Sequence, residues 1–216
     1  GVACISEGRS IAVSHAGSHE LSIVDSEALL AQLRYVYISS RAGALPEDPP
    51  SGNRLRRRIQ LPGKGPRGLA IHGSKVYVAE YFSDTVAVID IQGEVGGRAG
   101  SIALGDEPLL TPRRRGELLF NDATICYQRW QSCASCHPDG RTDAINWDLM
   151  NDGVGNFKNT KSMLLAHETP PAMAEGVRAT AELAVRTGLE AAGVQPGDPD
   201  YRKWDSGSGV TLSIKF

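Results

Sequence analysis

Residues 131–141 read QSCASCHPDGR, so Cys133, Cys136 and His137 put two thiols and an imidazole into one short window. Thiols three residues apart in a turn can add to the two vinyl groups of a haem. A histidine directly after the second is then placed under the iron, so Cys-x-x-Cys-His reads as a covalent haem attachment site. Zinc typically draws four ligands from two such pairs. This sequence has no second Cys-x-x-Cys, and His15, His19, His72 and His167 form no spaced pair near the first. A thioredoxin-like redox pair calls for a βαβ setting, which the flanks lack. Metal binding and disulfide chemistry stay as the alternatives to haem.

If iron sits on His137, its chemistry depends on the opposite coordination position: a filled one favours electron transfer, an open one admits peroxide. Met150, Met163, His167 and Met173 are the candidates. Met173 ranks first, because it follows the stiff Thr169-Pro170-Pro171 turn, and His167 second. Met163, in an apolar run, reads as core. Peroxide cleavage would also need an acid-base group, and Glu168 and Glu175 are the carboxylates at hand. Arg141 suits a bidentate contact to a haem propionate. Trp130 and Trp147 flank the motif and read first as packing aromatics, second as pocket lining or electron relays.

These residues need elements to hold them. Thr111 as N-cap, Pro112 at the first helical position and the apolar Leu118, Leu119 and Phe120 predict a short helix leading into the cysteine motif. Further on, Val177, Ala181, Ala184 and Gly188 fall on one side of a helical pattern over residues 176–189. The first half reads differently. Residues 8–25, GRSIAVSHAGSHELSIVD, lie without a gap over residues 73–90, GSKVYVAEYFSDTVAVID, at an offset of 65. Both copies read strand, polar turn, strand, with the alternation of half-buried hairpins. Residues 65–71, GPRGLAI, add a strand entered from a Pro/Gly turn. The N-terminal residues also begin in strand-like sequence. Residues 39–58, Pro-rich and then Arg-rich, read as an inserted surface loop, and the RLRRR run at 54–58 as its solvated end. His15 and His19 read as hairpin surface residues.

Composition narrows the function. The 216-residue chain has 23 basic and 25 acidic side chains, a net charge of −2, and so no global field to draw nucleic acid or an anionic membrane. No apolar run reaches the roughly 18 residues of a membrane span. The first residues lack both the basic and the apolar regions of a signal peptide, and the start without methionine suggests a mature product or a fragment. Cys4 and Cys126 read as buried thiols, with a disulfide as the second choice.

Residues 66–90 resemble a blade of the YVTN-type β-propeller family, with Pro66, Gly68, Leu69 and Ala70, then Val76-Tyr77-Val78-Ala79, then Thr85-Val86-Ala87-Val88-Ile89-Asp90 on its motif. Two blades fall short of the four to eight that close a ring, so either further blades come from more sequence or another chain, or the open sheet edges pack against something else. Residues 116–173 resemble the first haem segment of di-haem cytochrome c peroxidases and their MauG-type relatives. The matching pieces are GELLFND before the motif, SCASCH at it, DGRTD after it and KNTKSML beyond. Propellers joined to such haem domains are a known architecture. The family carries two Cys-x-x-Cys-His motifs and this chain has one, so a second haem would come from elsewhere.

The expectation is therefore a mixed fold: antiparallel all-β blades over residues 1–105, a mainly α-helical cytochrome c-like domain over 111–195, and an unassigned tail over 196–216. By resemblance it is a periplasmic or otherwise exported c-type haem protein, since bacterial haem attachment takes place outside the cytoplasm. It would work with a redox partner in electron transfer, extending to peroxidase-like, peroxide-dependent oxidation. The alternative is a non-catalytic propeller binding module with a structural or vestigial haem domain.

Overall fold

A computed structural model describes residues 1–41, 55–91, 99–106, 108–126, 129–148, 154–172, 176–180 and 183–184. The chain divides into two compact units, Gly1–Pro108 and Leu109–Phe216.

Unit one is two four-stranded antiparallel sheets with strands in chain order. The first contains β1 (Val2–Ile5), β2 (Ser10–His15), β3 (Glu20–Asp25) and β4 (Arg56–Gln60). The second contains β5 (Pro66–His72), β6 (Lys75–Glu80), β7 (Thr85–Asp90) and β8 (Ala99–Ala103). The repeat is kept residue for residue: β6 and β7 begin and end 65 positions after β2 and β3. Both hairpin turns place a non-glycine residue in the left-handed region, His19 at φ 56° and Asp84 at φ 49°. Alternation puts one side chain in two on each face, and the sheets pack through Ile5, Ala12, Leu21 and Ile59 of the first against Val76, Val78, Ala87 and Ile89 of the second. Burying each aliphatic side chain contributes about 1.5–3 kcal/mol.

Polar groups fix how the sheets meet. Ser14 donates its hydroxyl to the Arg67 carbonyl at 2.6 Å. His19 is buried rather than a surface residue of its hairpin: its Nδ1 accepts the Gly65 N–H at 3.1 Å, and its carbonyl accepts the Leu61 N–H at 3.0 Å. The buried Glu80 carboxylate accepts the Gly63 N–H at 2.6 Å and the Thr85 hydroxyl at 2.5 Å. Charge-assisted bonds of this kind are what make a buried carboxylate tolerable.

Of the loop expected over residues 39–58, residues 42–54 lie outside the described residues, and its two ends belong to a helix and a strand. Helix α1, Ser26–Arg41, follows β3 directly, and the Asp25 carboxylate caps it by accepting the Ala28 N–H at 2.9 Å. The arginine run is strand: Arg56, Arg57 and Arg58 pair with Val24, Ile23 and Ser22. A ladder on an open edge supplies hydrogen bonds that outweigh the preference of arginine for a loop, and the exposed side chains stay solvated. Arg58 also meets Glu20 at 2.7 Å.

Unit two corrects the expected fold class. Among its described residues it is not a mainly α-helical cytochrome c-like domain: they hold the ten-residue helix α2 (Pro112–Asn121), the single turn α3 (Cys133–Cys136) and a two-stranded ladder of β9 (Asn146–Trp147) with β10 (Lys158–Asn159). With the two sheets of unit one, the described protein is mostly antiparallel β. Of the helix expected over 176–189, residues 183–184 are helical, with the Ala184 N–H on the Thr180 carbonyl at 3.2 Å, whereas residues 176–180 are not α-helical and Ala172 and Arg178 exchange main-chain bonds of 2.7 and 3.2 Å; residues 181–182 and 185–189 lie outside the described residues.

Candidate functional site

The site is built on α2. Thr111 caps it through its side chain, which accepts the Arg114 N–H at 3.3 Å, and Pro112 occupies the first turn. The helix buries Leu118, Leu119 and Phe120 and ends at the buried Asp122, whose carboxylate accepts the Thr124 N–H at 2.8 Å and the Thr124 hydroxyl at 2.5 Å. The chain turns there, places Cys126 in the interior, and returns to pack α3 against α2.

One helical turn carries both thiols of the motif. The Ser132 N–H donates to the Ser135 hydroxyl at 2.9 Å, so a serine between the cysteines closes the start of the turn. The His137 N–H closes its end on the Cys133 carbonyl at 3.0 Å. All four cysteines are free thiols, with Cys133 and Cys136 partly exposed. Although the residue keeps some exposure, the Cys133 sulfur lies away from water, and that burial pushes its thiol up to about 11. Burial, and then the Asp143 charge, raise Cys136 as well. Both are therefore held as neutral thiols at neutral pH, the form that resists oxidation to a disulfide.

His137 is oriented by the turn that follows it. Asp139 at φ 53° and Gly140 at φ 69° reverse the chain, which brings the Arg141 carbonyl to 3.3 Å from His137 Nδ1. A ring that donates Nδ1–H to a carbonyl presents the Nε2 lone pair outward, the tautomer that binds a metal. Arg141 thus acts here through its main chain, and its side chain is exposed.

Asp143, which sequence reasoning passed over, organises the next segment. Its N–H bonds the Cys136 carbonyl at 3.1 Å, while its carboxylate accepts the Ile145 N–H at 3.0 Å and the Trp147 indole N–H at 2.8 Å. These bonds, the Ile145 one foremost, hold its carboxyl below the usual carboxylate range. The available signal was an aspartate two residues before an apolar residue in a Gly/Thr/Asn-rich stretch, the pattern of an Asx turn. Trp147 is half-buried and Trp130 exposed.

The candidates for the far side of the iron separate. Met163 is partly exposed rather than core, and its N–H bonds the Gly140 carbonyl at 2.8 Å, which ties this segment to the turn after His137. His167 Nε2 lies 3.3 Å from the Glu168 carboxylate, while its buried Nδ1 has no hydrogen-bond partner. Glu168 is open to water. Met150, Met173 and Glu175 lie outside the described residues. Among the described residues no group of three or more His, Cys, Asp or Glu side chains is arranged to hold a metal ion by itself.

The Cys133, Cys136 and His137 arrangement fits a covalently attached haem: two neutral thiols on one turn, followed by an imidazole whose Nδ1 is engaged. Ile145, Phe157 and Leu165, in the segments tied to that turn, are exposed apolar side chains of the kind a porphyrin face covers.

No protein-family model matches the chain. Over 64 residues, 29% of this chain, it is 44% identical to the hydrazine synthase subunit gamma of Kuenenia stuttgartiensis. The matched stretch is 18% of that subunit, so the chain spans well under two thirds of the relative it matches.

Proposed function

We propose that this is an exported c-type haem protein that transfers electrons, with haem joined through Cys133 and Cys136 and its iron held by His137. The observation that carries the reading is the His137 ring, whose Nδ1 meets the Arg141 carbonyl one residue beyond a turn bearing two free thiols. Each thiol adds S–H across a vinyl C=C, so attachment needs no net oxidant. The haem would supply a one-electron couple. The protein's part is to fix the imidazole, keep its Nε2 available and surround the group with apolar side chains. The likeness to a hydrazine synthase subunit is compatible with a haem protein.

Electron transfer is favoured over peroxide-dependent oxidation because Glu168, the described acid-base candidate, is solvated and paired with His167. A general acid that redelivers a proton works best when water is excluded from it. A diffusible redox protein would be the partner, and the two stacked sheets of unit one would belong to a larger propeller.

The test is kinetic. Holoprotein reduced by a small-molecule donor should be reoxidised by an acceptor cytochrome, with peroxide turnover low and unchanged in Glu168→Gln. Rapid peroxide turnover that falls more than tenfold in that variant would assign the peroxidase role instead. A haem that neither accepts nor yields electrons would make it structural.

A further inference from the structure

A short chain of hydrogen bonds joins the turn that bears the thiols to the protein surface. The Asp143 N–H bonds the Cys136 carbonyl at 3.1 Å, and the Asp143 carboxylate accepts the Trp147 indole N–H at 2.8 Å. Trp147 is half-buried, so part of its ring meets solvent. Two bonds, meeting at Asp143, therefore connect one of the thiol-bearing residues with an aromatic ring at the surface. The route along the main chain runs through every residue from 137 to 146 and is far longer.

The surrounding segment keeps these groups in place. The second Asp143 oxygen accepts the Ile145 N–H at 3.0 Å. Thr142 accepts the Ala144 N–H at 2.9 Å and donates its hydroxyl to the Thr160 carbonyl at 2.8 Å. Trp147 itself lies in β9, opposite Lys158 of β10, and directly opposed residues share a face of the ladder. A ring already fixed through its N–H gives up little rotamer freedom when a partner covers it, and large amphipathic rings of this kind dominate protein contacts. Trp130, 61% exposed, stands outside this chain of bonds. Electrons tunnel through covalent and hydrogen bonds more readily than across open gaps, because bonded atoms lower the barrier between donor and acceptor.

We propose that Trp147 is the point at which a soluble redox protein exchanges electrons with the haem, with Asp143 linking its indole to Cys136. The proposal rests on the haem reading given above. One electron passes from ferrous iron to the partner's oxidised centre, which is thereby reduced. The indole is neither oxidised nor deprotonated, and its hydrogen stays on Nε1. The partner that fits is a one-electron protein with an apolar contact patch to meet the ring.

The test uses reduced holoprotein, with the intact mass first establishing one haem on the parent and on each variant. Stopped-flow oxidation is then followed with a soluble mono-haem cytochrome c and, separately, with ferricyanide, a small complex that needs no docking surface. The haem spectrum and reduction potential are measured alongside. Trp147→Leu should slow the reaction with the cytochrome about tenfold, the scale of a lost aromatic contact, and leave the ferricyanide rate, spectrum and potential as in the parent. Trp147→Phe keeps a ring but not the N–H, so its limiting rate should fall while the half-saturating cytochrome concentration holds. Trp130→Leu should match the parent throughout. Either Trp147 variant reacting with the cytochrome at the parent's rate would overturn the proposal, as would a Trp130→Leu protein slowed as much as Trp147→Leu. Equal slowing with both oxidants, together with a shifted potential or spectrum, would make Trp147 a support of the haem pocket instead. If Trp147→Leu does not hold haem, Trp147→Phe decides on the same readouts. A parent whose mass shows no haem would remove the haem reading, and this proposal with it, before any rate is measured.

Discussion

Truncating isoleucine at two repeat-equivalent positions measures the asymmetry of unit one directly. Ile59 and Ile102 occupy the same place in their sheets, but Ile59 is 6% exposed and Ile102 53% exposed. Ile59→Ala removes buried methylene groups facing Leu21 and the second sheet, and truncations of this kind cost about 2–5 kcal/mol; we take ~3 kcal/mol. Unit one spans residues 1–108, and for domains near that size each kcal/mol moves Tm by about 4–8 °C. The Ile59 variant should therefore melt ~15 °C below the parent. Ile102 has only about half its surface to lose, so Ile102→Ala should cost under ~1 kcal/mol, or within about 5 °C. The assay is thermal unfolding followed by far-ultraviolet circular dichroism. Equal losses from the two variants would refute the reasoning, since they would mean both faces are packed or neither is.

Glu80→Ala should destabilise unit one by at least about 3 kcal/mol in urea, because it removes two charge-assisted bonds of about 1.5–3 kcal/mol each and strands the Gly63 N–H. A loss below 1 kcal/mol would mean water reaches the carboxylate. His15 is held below its ordinary 6.5 by burial first and by Arg56 and Arg58 next, with Glu20 opposing. Its folded state resists a proton that the unfolded chain accepts, so stability falls as pH drops through 6.5 and continues to fall until folded His15 itself titrates. His15→Gln should flatten that part of the profile. An NMR titration that places His15 at or above 6.5 would contradict this.

The hairpins were legible because they repeat: the alternation at Val76–Val78 and Val86–Val88 is local, and the first copy lies over it without a gap. Helix α2 was legible for the same reason, with Thr111 and Pro112 marking its start. Features that depend on distant partners were not. The run Arg56–Arg58 carries no strand signal and becomes β4 only because β3 offers an open edge. His19 looks like a turn residue until Gly65, far along the chain, supplies its N–H. In unit two the helical expectation came from the resemblance, whereas the residues after the motif are rich in Pro, Gly, Asp, Asn and Thr, which favour turns. The Cys-x-x-Cys-His spacing named its own candidate residues, but Asp143 and the Arg141 carbonyl position the segment through main-chain bonds that side-chain chemistry does not announce.

The central claim is that Cys133, Cys136 and His137 carry haem. The most direct measurement is the intact mass of the chain after export in a host with a c-type cytochrome maturation system, read beside haem staining on a denaturing gel. The account predicts the chain plus one haem, a stained band that survives denaturation, and loss of that band in a Cys133→Ser, Cys136→Ser double variant. An unmodified mass with no stained band, or bound zinc in place of iron, would contradict it.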